Sequence, residues 1–370
     1  MTEPQIRSAD ERLQAALARL LQEGFVRKEP RLLQPAGVFL DRLGEDFRGR
    51  LFLTTDGASA ELCLRPEYTI PIALDYIASG VDEPTAFAYG GPTFRIGEGE
   101  APQAGLESFG RADREAADAE ILGLALDAAA AAGAPRLKVR LGDAGLVGAF
   151  LDRLELAPAW RRRLAQAHSG PDRLARLLAS PARENAGPGA GVLAALEKTD
   201  SKGARRLVED LLAIAGILSV GGRSAGEIAE RFLEQASLAT GLDPEKRQLI
   251  EKFFAIEDAP DAAGARLRKL AAEAGLDLAE SLDFYDSRVN FIAARGLALD
   301  EMIFTTSFSH AIGYYSGFMF EARDASAGAD AAPLLSGGRY DALLRTLGAK
   351  TNIPAVGAAL WINRFGGGAA

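Results

Sequence analysis

Two blocks of strand-like sequence, separated by a long helical stretch, constrain the fold of this chain more than any other feature. In the first block, runs at 51–55 and 61–65 flank the dipeptide Asp56-Gly57, which is a strong signal for a tight hairpin. Residues 143–280 then show helical periodicity with frequent Pro and Gly breaks. Antiparallel hairpins with helices set apart predict an α+β fold, in which a sheet domain with flanking helices carries a helical insertion. The second block contains strand-like runs at 284–285, 303–305, 314–320 and 334–335.

These blocks also predict the domain organisation. We expect residues 1–142 and 281–370 to form the two parts of one core, with residues 143–280 inserted between them as a helical segment. A length of 370 residues agrees with this organisation because it is typical of two domains. We expect the Gly- and Pro-rich run at 187–191 to lie inside the insertion.

The composition excludes several classes of protein. Cysteine occurs once, as Cys63, and histidine only as His168 and His310, so we expect neither a disulfide framework nor a metal site. The net charge of −9 disfavours non-specific binding to nucleic acids. The polar N-terminus lacks a signal-peptide pattern, and no uncharged apolar run is long enough to span a bilayer. A cytoplasmic location without membrane contact is the expectation.

The sequence lacks the common catalytic motifs. It contains no GxxxxGKS/T phosphate loop, no GxGxxG after a strand, no GxSxG elbow and no HExxH. Cys63 stands between Leu62 and Leu64, which is typical of a strand that buries a small residue rather than of a nucleophile. We therefore assign no catalytic residue.

Three polar and aromatic segments remain, each with a purely structural explanation when taken alone. Residues 64–69, together with Phe94-Arg95, place two arginines and a glutamate at strand ends; residues 309–317 are aromatic and bounded by glycines. Residues 336–341 contain a glycine corner. Hairpin turns, core aromatics and a strand-to-helix corner would account for them singly.

Taken together and in this order, these segments resemble the catalytic core of histidyl-tRNA synthetase, a class II aminoacyl-tRNA synthetase with an antiparallel sheet. The resemblance covers most of residues 1–140 and 281–370, and it implies a class II synthetase-like fold. The matching segments are 64–69 (LRPEGT in the synthetase), 89–95 with 108–110 (motif 2), 310–315 (RGLDYY), 337–341 (GGRYD) and 355–364 (motif 3).

The departures from the synthetase pattern bear on function. His310 stands where the synthetase has the arginine of RGLDYY, and an imidazole cannot supply the fixed bidentate donor that phosphate needs. The motif 2 glutamine and glutamate that hold histidine in the synthetase correspond here to Ser108 and Ala112, whereas Arg95 and Arg364 are kept. Because six residues follow Arg364, we expect the anticodon-binding domain to be missing and tRNA charging to be absent.

A synthetase-like core with these losses is similar to the regulatory subunit of ATP phosphoribosyltransferase. The resemblance implies a non-catalytic subunit that forms a hetero-oligomer with the short catalytic subunit of the first enzyme of histidine biosynthesis. It also implies a dimer through the core, no cofactor, no tRNA partner, and histidine as the effector. A cleft that has lost its reactive cation fits a sensor, since sensing needs binding but no transition-state stabilisation.

The resemblance further implies the site residues. Glu67 and Thr69 would hold the α-amino group of the amino acid, Arg95 would face its carboxylate, and Tyr315 would line the imidazole pocket. The whole predicted amino-acid site is Glu67, Thr69, Arg95, Ser108, His310, Tyr314 and Tyr315, with Arg339 and Arg364 as motif remnants.

Several alternatives stay open at this point. Glu67 could instead cap a helix that begins near Thr69, and Tyr315 could be a core residue. An enzyme that forms an aminoacyl-adenylate and charges a carrier other than tRNA is compatible with Arg95 and Arg364. A purely architectural partner with a vestigial cleft is favoured by the changes at Ser108 and Ala112.

Overall fold

A computed structural model divides the chain into two compact units. The core unit comprises residues 1–147 and 256–370, and the inserted unit comprises residues 148–255. The expected boundary at 280 therefore differs from the observed one, since residues 256–280 belong to the core unit. The structure describes residues 8–57, 59–81, 83–167, 171–179, 206, 219–220, 223–224, 241–308, 314–328 and 331–365.

The strands of the core unit form one large and one small sheet. In chain order, all described strands are β1 (Val26–Arg27), β2 (Leu33–Pro35), β3 (Leu53–Thr55), β4 (Glu61–Leu64), β5 (Thr85–Arg95), β6 (Gly99–Phe109), β7 (Leu137–Asp143), β8 (Ser219–Val220), β9 (Arg223–Ser224), β10 (Glu257–Asp258), β11 (Met302–Thr305), β12 (Phe318–Asp324), β13 (Leu335–Arg339) and β14 (Ala355–Trp361). The large sheet has nine strands in the order β1-β5-β6-β14-β13-β12-β7-β11-β10, and the small sheet has the order β2-β4-β3.

The large sheet is mostly antiparallel, as the hairpin pattern predicts. Two pairs of strands, β1 with β5 and β7 with β11, are parallel, so the sheet is mixed. Strand β6 lies between β5 and β14, and both neighbours pair with it antiparallel. The hairpin expected around Asp56-Gly57 joins β3 to β4, but these strands lie in the small sheet.

Helices flank the large sheet. Leu13, Leu17 and Leu20 form the buried face of the first helix, which begins with a capping box between Ser8 and Glu11. In chain order the described helices are α1 (Ala9–Gln22), α2 (Gly37–Leu43), α3 (Thr69–Ser79), α4 (Arg114–Ala131), α5 (Ala144–Arg153), α6 (Pro158–Ala167), α7 (Pro171–Ala179), α8 (Pro244–Phe254), α9 (Pro260–Ala274), α10 (Ala279–Ala294) and α11 (Asp341–Thr346), with short 3-10 helices at Glu45–Arg50, Leu299–Glu301 and Ile362–Arg364.

One strand expectation is wrong. Residues 284–285 lie inside α10 rather than in a strand. Tyr285, Val289 and Ile292 of this helix are buried at helical spacing. The two adjacent aromatic residues resemble a strand only when this longer period is ignored.

The inserted unit has its own apolar contacts. The rings of Phe150 and Phe253 stack with their centroids 3.8 Å apart, and Asp243 caps α8 by accepting from the backbone N–H groups of Glu245 and Lys246. The hairpin β8–β9 is β structure in a segment expected to be helical throughout. The run 187–191 lies outside the described residues.

We find no helix of sufficient length and apolar character to cross a membrane among the helices described above.

Candidate functional site

A small polar cavity lies in the core unit where the end of β4, the start of α3 and the strands β5, β6, β13 and β14 meet. Its volume is about 20 Å³, which is space for about one water molecule. The residues that line it include both polar and aromatic side chains. The lining residues are Glu67, Thr69, Tyr89, Arg95, Gln103, Tyr314, Tyr315, Ser336, Tyr340, Gly357, Ala358, Ala359 and Trp361.

The end of β4 is fixed against β5 by main-chain contacts. The N–H of Phe94 donates to the carbonyl of Arg65 at 3.0 Å, and Nε of Arg95 donates to the carbonyl of Pro66 at 2.9 Å. Arg95 therefore lies beside the segment that carries Glu67, as the sequence predicts. The Arg65 guanidinium is buried elsewhere, where it donates to Tyr68 and to the carbonyls of Pro30 and Pro92, so it does not line the cavity.

Glu67 both lines the cavity and caps α3. Its Oε2 accepts from the N–H of Thr69 at 2.8 Å, and its Oε1 accepts from the N–H of Ile70 at 2.9 Å. Burial raises the pKa of Glu67 to about 7, although the Ile70 N–H and the charge of Arg95 oppose this shift. The structural alternative stated above, helix capping, is therefore part of what this residue does.

Glu107 of β6 is the residue that sequence reasoning missed. The hydroxyl of Thr69 donates to its Oε1 at 2.6 Å, and the hydroxyl of Tyr340 donates to its Oε2. Burial raises the pKa of Glu107 to about 8, against the two hydroxyl donors and with the help of the nearby Glu67 charge. The carboxylate is thus tied to both the start of α3 and the end of β13.

Neither Ser108 nor Ala112 is among the residues that line the cavity. Gln103 lines it, and Glu107 lies beside it, bonded to Thr69 and Tyr340. Side chains alternate between the faces of a strand, so Ser108 is buried on the opposite face of β6 from Glu107. Ala112 lies beyond the end of β6.

A glycine makes room for Glu107. Gly357 of β14 pairs with Glu107 of the neighbouring strand β6, and a Cβ atom at this position would collide with Glu107 Oε2. No side chain other than hydrogen fits at this position unless Glu107 moves. The match of residues 355–364 to motif 3 includes this glycine, but its role is visible only in the sheet register.

Tyrosines form the apolar wall of the cavity. Tyr314 contacts both Tyr315 and Tyr340, with ring centroids 5.2 and 5.5 Å apart. Tyr89 stacks on Tyr68 at 4.3 Å. Tyr314 and Tyr315 line the cavity and also pack against the apolar cluster around Phe39 and Tyr76. They are therefore both cavity residues and core residues.

Arg339 and Arg364 lie outside the cavity lining. Arg339 pairs with Asp118 at 2.6 Å and with Asp341 at 2.8 Å, and it supports the sheet from the side of α4. Arg364 lies over the ring of Trp361, with 4.5 Å from the guanidinium carbon to the ring centroid. His310 lies outside the described residues.

The cavity is suited to binding a cationic group. Two buried carboxylates with raised pKa values lie among hydroxyl groups, and a positively charged partner would favour their ionised forms. Arg95 is the cation of the lining and suits an anionic group such as a carboxylate. These features match the two ends of an α-amino acid.

The sequence matches a family model described as histidyl-tRNA synthetase over residues 1–221 and 223–365. It is 39% identical over 344 residues to the "ATP phosphoribosyltransferase regulatory subunit" of Brucella canis, which covers 90% of this chain and 90% of that protein. The proteins of that name from Brucella ovis and Brucella melitensis show the same identity and coverage.

Solved structures share the fold. An "ATP phosphoribosyltransferase regulatory subunit/histidyl-tRNA synthetase" from Bacillus halodurans aligns with a TM-score of 0.63 at 20% identity, covering 98% of this chain and 81% of that chain. A histidyl-tRNA synthetase from Nostoc aligns with a TM-score of 0.65 at 15% identity, covering 96% and 70%. The predicted α+β, class II synthetase-like fold is confirmed.

Proposed function

Because this chain belongs to the family of ATP phosphoribosyltransferase regulatory subunits, we propose that it assembles with the short catalytic subunit of that enzyme and makes it responsive to histidine. In this proposal the chain performs no chemistry of its own. Histidine binding in the polar cavity is coupled to the activity of the catalytic partner, and the coupling is reciprocal.

The observation that carries the proposal is the hydrogen bonding of Glu107 to Thr69 and Tyr340. This carboxylate lies beside that of Glu67, which caps α3. The ammonium and imidazole N–H groups of histidine are donors, and these carboxylates are the acceptors that suit them. Arg95 suits the carboxylate of the ligand. These groups complement the ends of an amino acid, and histidine would have to widen the cavity, which has space for about one water molecule here.

The architectural alternative rests on Ser108 and Ala112, which stand where the synthetase has its glutamine and glutamate. Against it, Gln103 lines the cavity, and Glu107 accepts from Thr69 and Tyr340, which line it too. A decayed cleft would not be expected to keep a buried carboxylate with two hydroxyl donors, because burying it costs free energy.

The test is an activity assay of the assembled enzyme. Phosphoribosyl transfer to ATP is measured for the short catalytic subunit alone and with this chain, each across a range of histidine concentrations. We expect activity to depend on this chain and histidine to inhibit the mixture more strongly than the catalytic subunit alone. Equal activity and equal inhibition without this chain would contradict the proposal.

The variant Glu107→Gln connects this regulation to the cavity. Removing one member of a hydrogen-bonded charge pair costs about 2–5 kcal/mol, so histidine affinity should fall roughly 30-fold or more. Glu107 is preferable to Glu67 because Glu67 also caps α3. The control is Ser108→Ala, on the opposite face of the same strand, which should leave inhibition unchanged. Unaltered inhibition in Glu107→Gln would place the effector site elsewhere.

The enzymatic alternative is tested separately by pyrophosphate exchange with ATP and histidine. We expect the purified chain to give no exchange above a control without protein, and no charging of tRNA. Exchange well above that control would favour an adenylate-forming enzyme over a regulatory subunit.

A further inference from the structure

Three arginines converge on one carboxylate at the border of the cavity. Oε1 of Glu98 lies 2.9 Å from Nη2 of Arg50 and 3.8 Å from Nη1 of Arg95, and Oε2 lies 3.9 Å from Nη2 of Arg364. These four residues are the arginine cluster. Arg95 itself lines the cavity, so the cluster adjoins the site described above.

Two of the guanidinium groups are held by contacts that do not involve Glu98. Arg95 donates through Nε to the carbonyl of Pro66 at 2.9 Å, and Arg364 donates through Nη1 to the carbonyl of Pro333 at 2.8 Å. Arg364 also lies over the ring of Trp361. Because main-chain carbonyls fix these side chains, the cluster is pre-organised to receive an anion.

Glu98 is placed in the cluster by the shape of the β5–β6 turn. Its N–H donates to the carbonyl of Arg95 at 3.0 Å, which makes residues 95–98 a β-turn. Gly97 occupies the third position with a φ of +91°, as turns with a left-handed residue there require. The N–H of Ile96 donates to the carbonyl of Arg50 at 2.9 Å, which fixes the turn beside the third arginine.

The charges of the cluster do not balance without an anion. Three cations surround a single carboxylate, and burial and the neighbouring Arg95 both lower the pKa of Arg364, whereas Glu98 opposes this. The side chains of Arg95 and Arg364 are 13% and 26% exposed, so water screens their repulsion only in part. A carboxylate at this position therefore substitutes for an external anion.

We propose that Glu98 is an internal counter-ion that occupies the anion position of the arginine cluster and keeps phosphate groups out of it. Removing its charge would convert the cluster into a site for inorganic pyrophosphate and other polyphosphates, since guanidinium groups bind phosphate oxygens well. This inference does not rest on histidine sensing. It also gives a reason why Arg95 and Arg364 persist in a chain proposed to form no adenylate.

The test is calorimetric titration of inorganic pyrophosphate at fixed, low ionic strength. We expect wild type to bind pyrophosphate at least about tenfold more weakly than Glu98→Gln, which keeps the size of the side chain and removes its charge. Glu98→Ala should bind at least as tightly as Glu98→Gln. Circular dichroism and melting temperature verify that each variant is folded.

Two controls separate a site from a change of net charge. Glu100→Gln makes the same charge change at an exposed position of the same hairpin and should bind like wild type. Adding Arg364→Met to Glu98→Gln should abolish the gain. Equal binding by wild type and Glu98→Gln, or an equal gain in Glu100→Gln, would overturn the proposal.

Discussion

Because Glu107 is buried, its contribution to the stability of the folded chain depends on pH. Its pKa is raised from 4.5 to about 8, chiefly by burial, so the folded chain binds a proton on this residue that the unfolded chain has released. Its contribution to stability is therefore complete below about pH 4.5 and is lost as the pH rises through about 8. A ligand cation would act in the opposite direction, because it favours the ionised carboxylate.

We predict that Glu107→Gln flattens the pH dependence of the melting temperature between about pH 5 and pH 8. The glutamine does not titrate, so the loss of stability in this range, on the order of a few kcal/mol at about 1.4 kcal/mol per pKa unit, should shrink. Part of the slope should remain, since burial also raises the pKa of Glu67. Melting curves of wild type, Glu107→Gln and Glu100→Gln check this. Parallel curves for the first two would refute the assignment.

Much of the site could be predicted residue by residue, because short motifs carry it. Glu67, Thr69 and Arg95 line the cavity as the motifs suggested. Gln103 and Glu107 could not be assigned to the cavity from the sequence because the extent of β6, Gly99–Phe109, could not be predicted. Residues 99–106 contain Gly and Pro, which disfavour strands, and only pairing with β5 and β14 on both sides makes them one.

A buried ion network joins helices α4 and α10 to strands β7 and β13 of the large sheet. Asp118 of α4, with no exposed side-chain surface, pairs with Arg288 of α10 at 2.8 Å and with Arg339 of β13 at 2.6 Å. Arg288 also pairs with Asp143 of β7 at 2.6 Å. Two helices and two strands thus share one set of charges, and each partner compensates for the burial of the others.

We predict that Asp118→Asn destabilises the core unit by about 3–5 kcal/mol, because it leaves two buried arginines short of a counter-ion. The matched control is Glu301→Gln, whose pair with Arg136 is 59% and 78% exposed and should matter by about 1 kcal/mol or less. Urea unfolding followed by Trp361 fluorescence, in a Trp160→Phe background, measures both. Equal effects of the two substitutions would contradict the prediction.

Helices and strands could be predicted where a periodic pattern extends over many residues, but not where it covers only two. The hairpin of β3 and β4 follows from Asp56-Gly57 and its flanking runs. The dipeptide at 284–285 indicated a strand, although the spacing from Leu282 to Ile292 is helical. That α9 and α10 belong to the core unit is a matter of tertiary packing, so the boundary at 255 could not be taken from periodicity.

At the scale of the whole molecule, we propose that the chain dimerises through the small sheet of the core unit. Leu33 of β2 and Phe52, which directly precedes β3, are 48% and 39% exposed, and the register places both on the face of this sheet opposite the buried Cys63. Clusters of exposed apolar side chains of this kind mark interaction surfaces. A second copy of the chain is the occupant that the family resemblance implies.

We therefore expect light scattering to give twice the mass of one chain for wild type and a reduced mass for Phe52→Glu. A charge in an apolar interface loses solvation without gaining a partner. Phe284→Glu, which changes a 48% exposed side chain on α10, is the control and should stay dimeric. A monomeric wild type, or a Phe52→Glu variant of unchanged mass, would refute this surface.

The two arginines that pair with Asp118 are synthesised long after it. Arg288 and Arg339 follow it by 170 and 221 residues, and a ribosome adds about 5–20 residues per second. Helix α4 and strand β6 therefore leave the ribosome on the order of ten seconds or more before β13 and β14 exist to cover them. During that interval Asp118 and one edge of β6 lack the partners they have in the complete core, so this part of the core can be completed only after β13 and β14 have been synthesised.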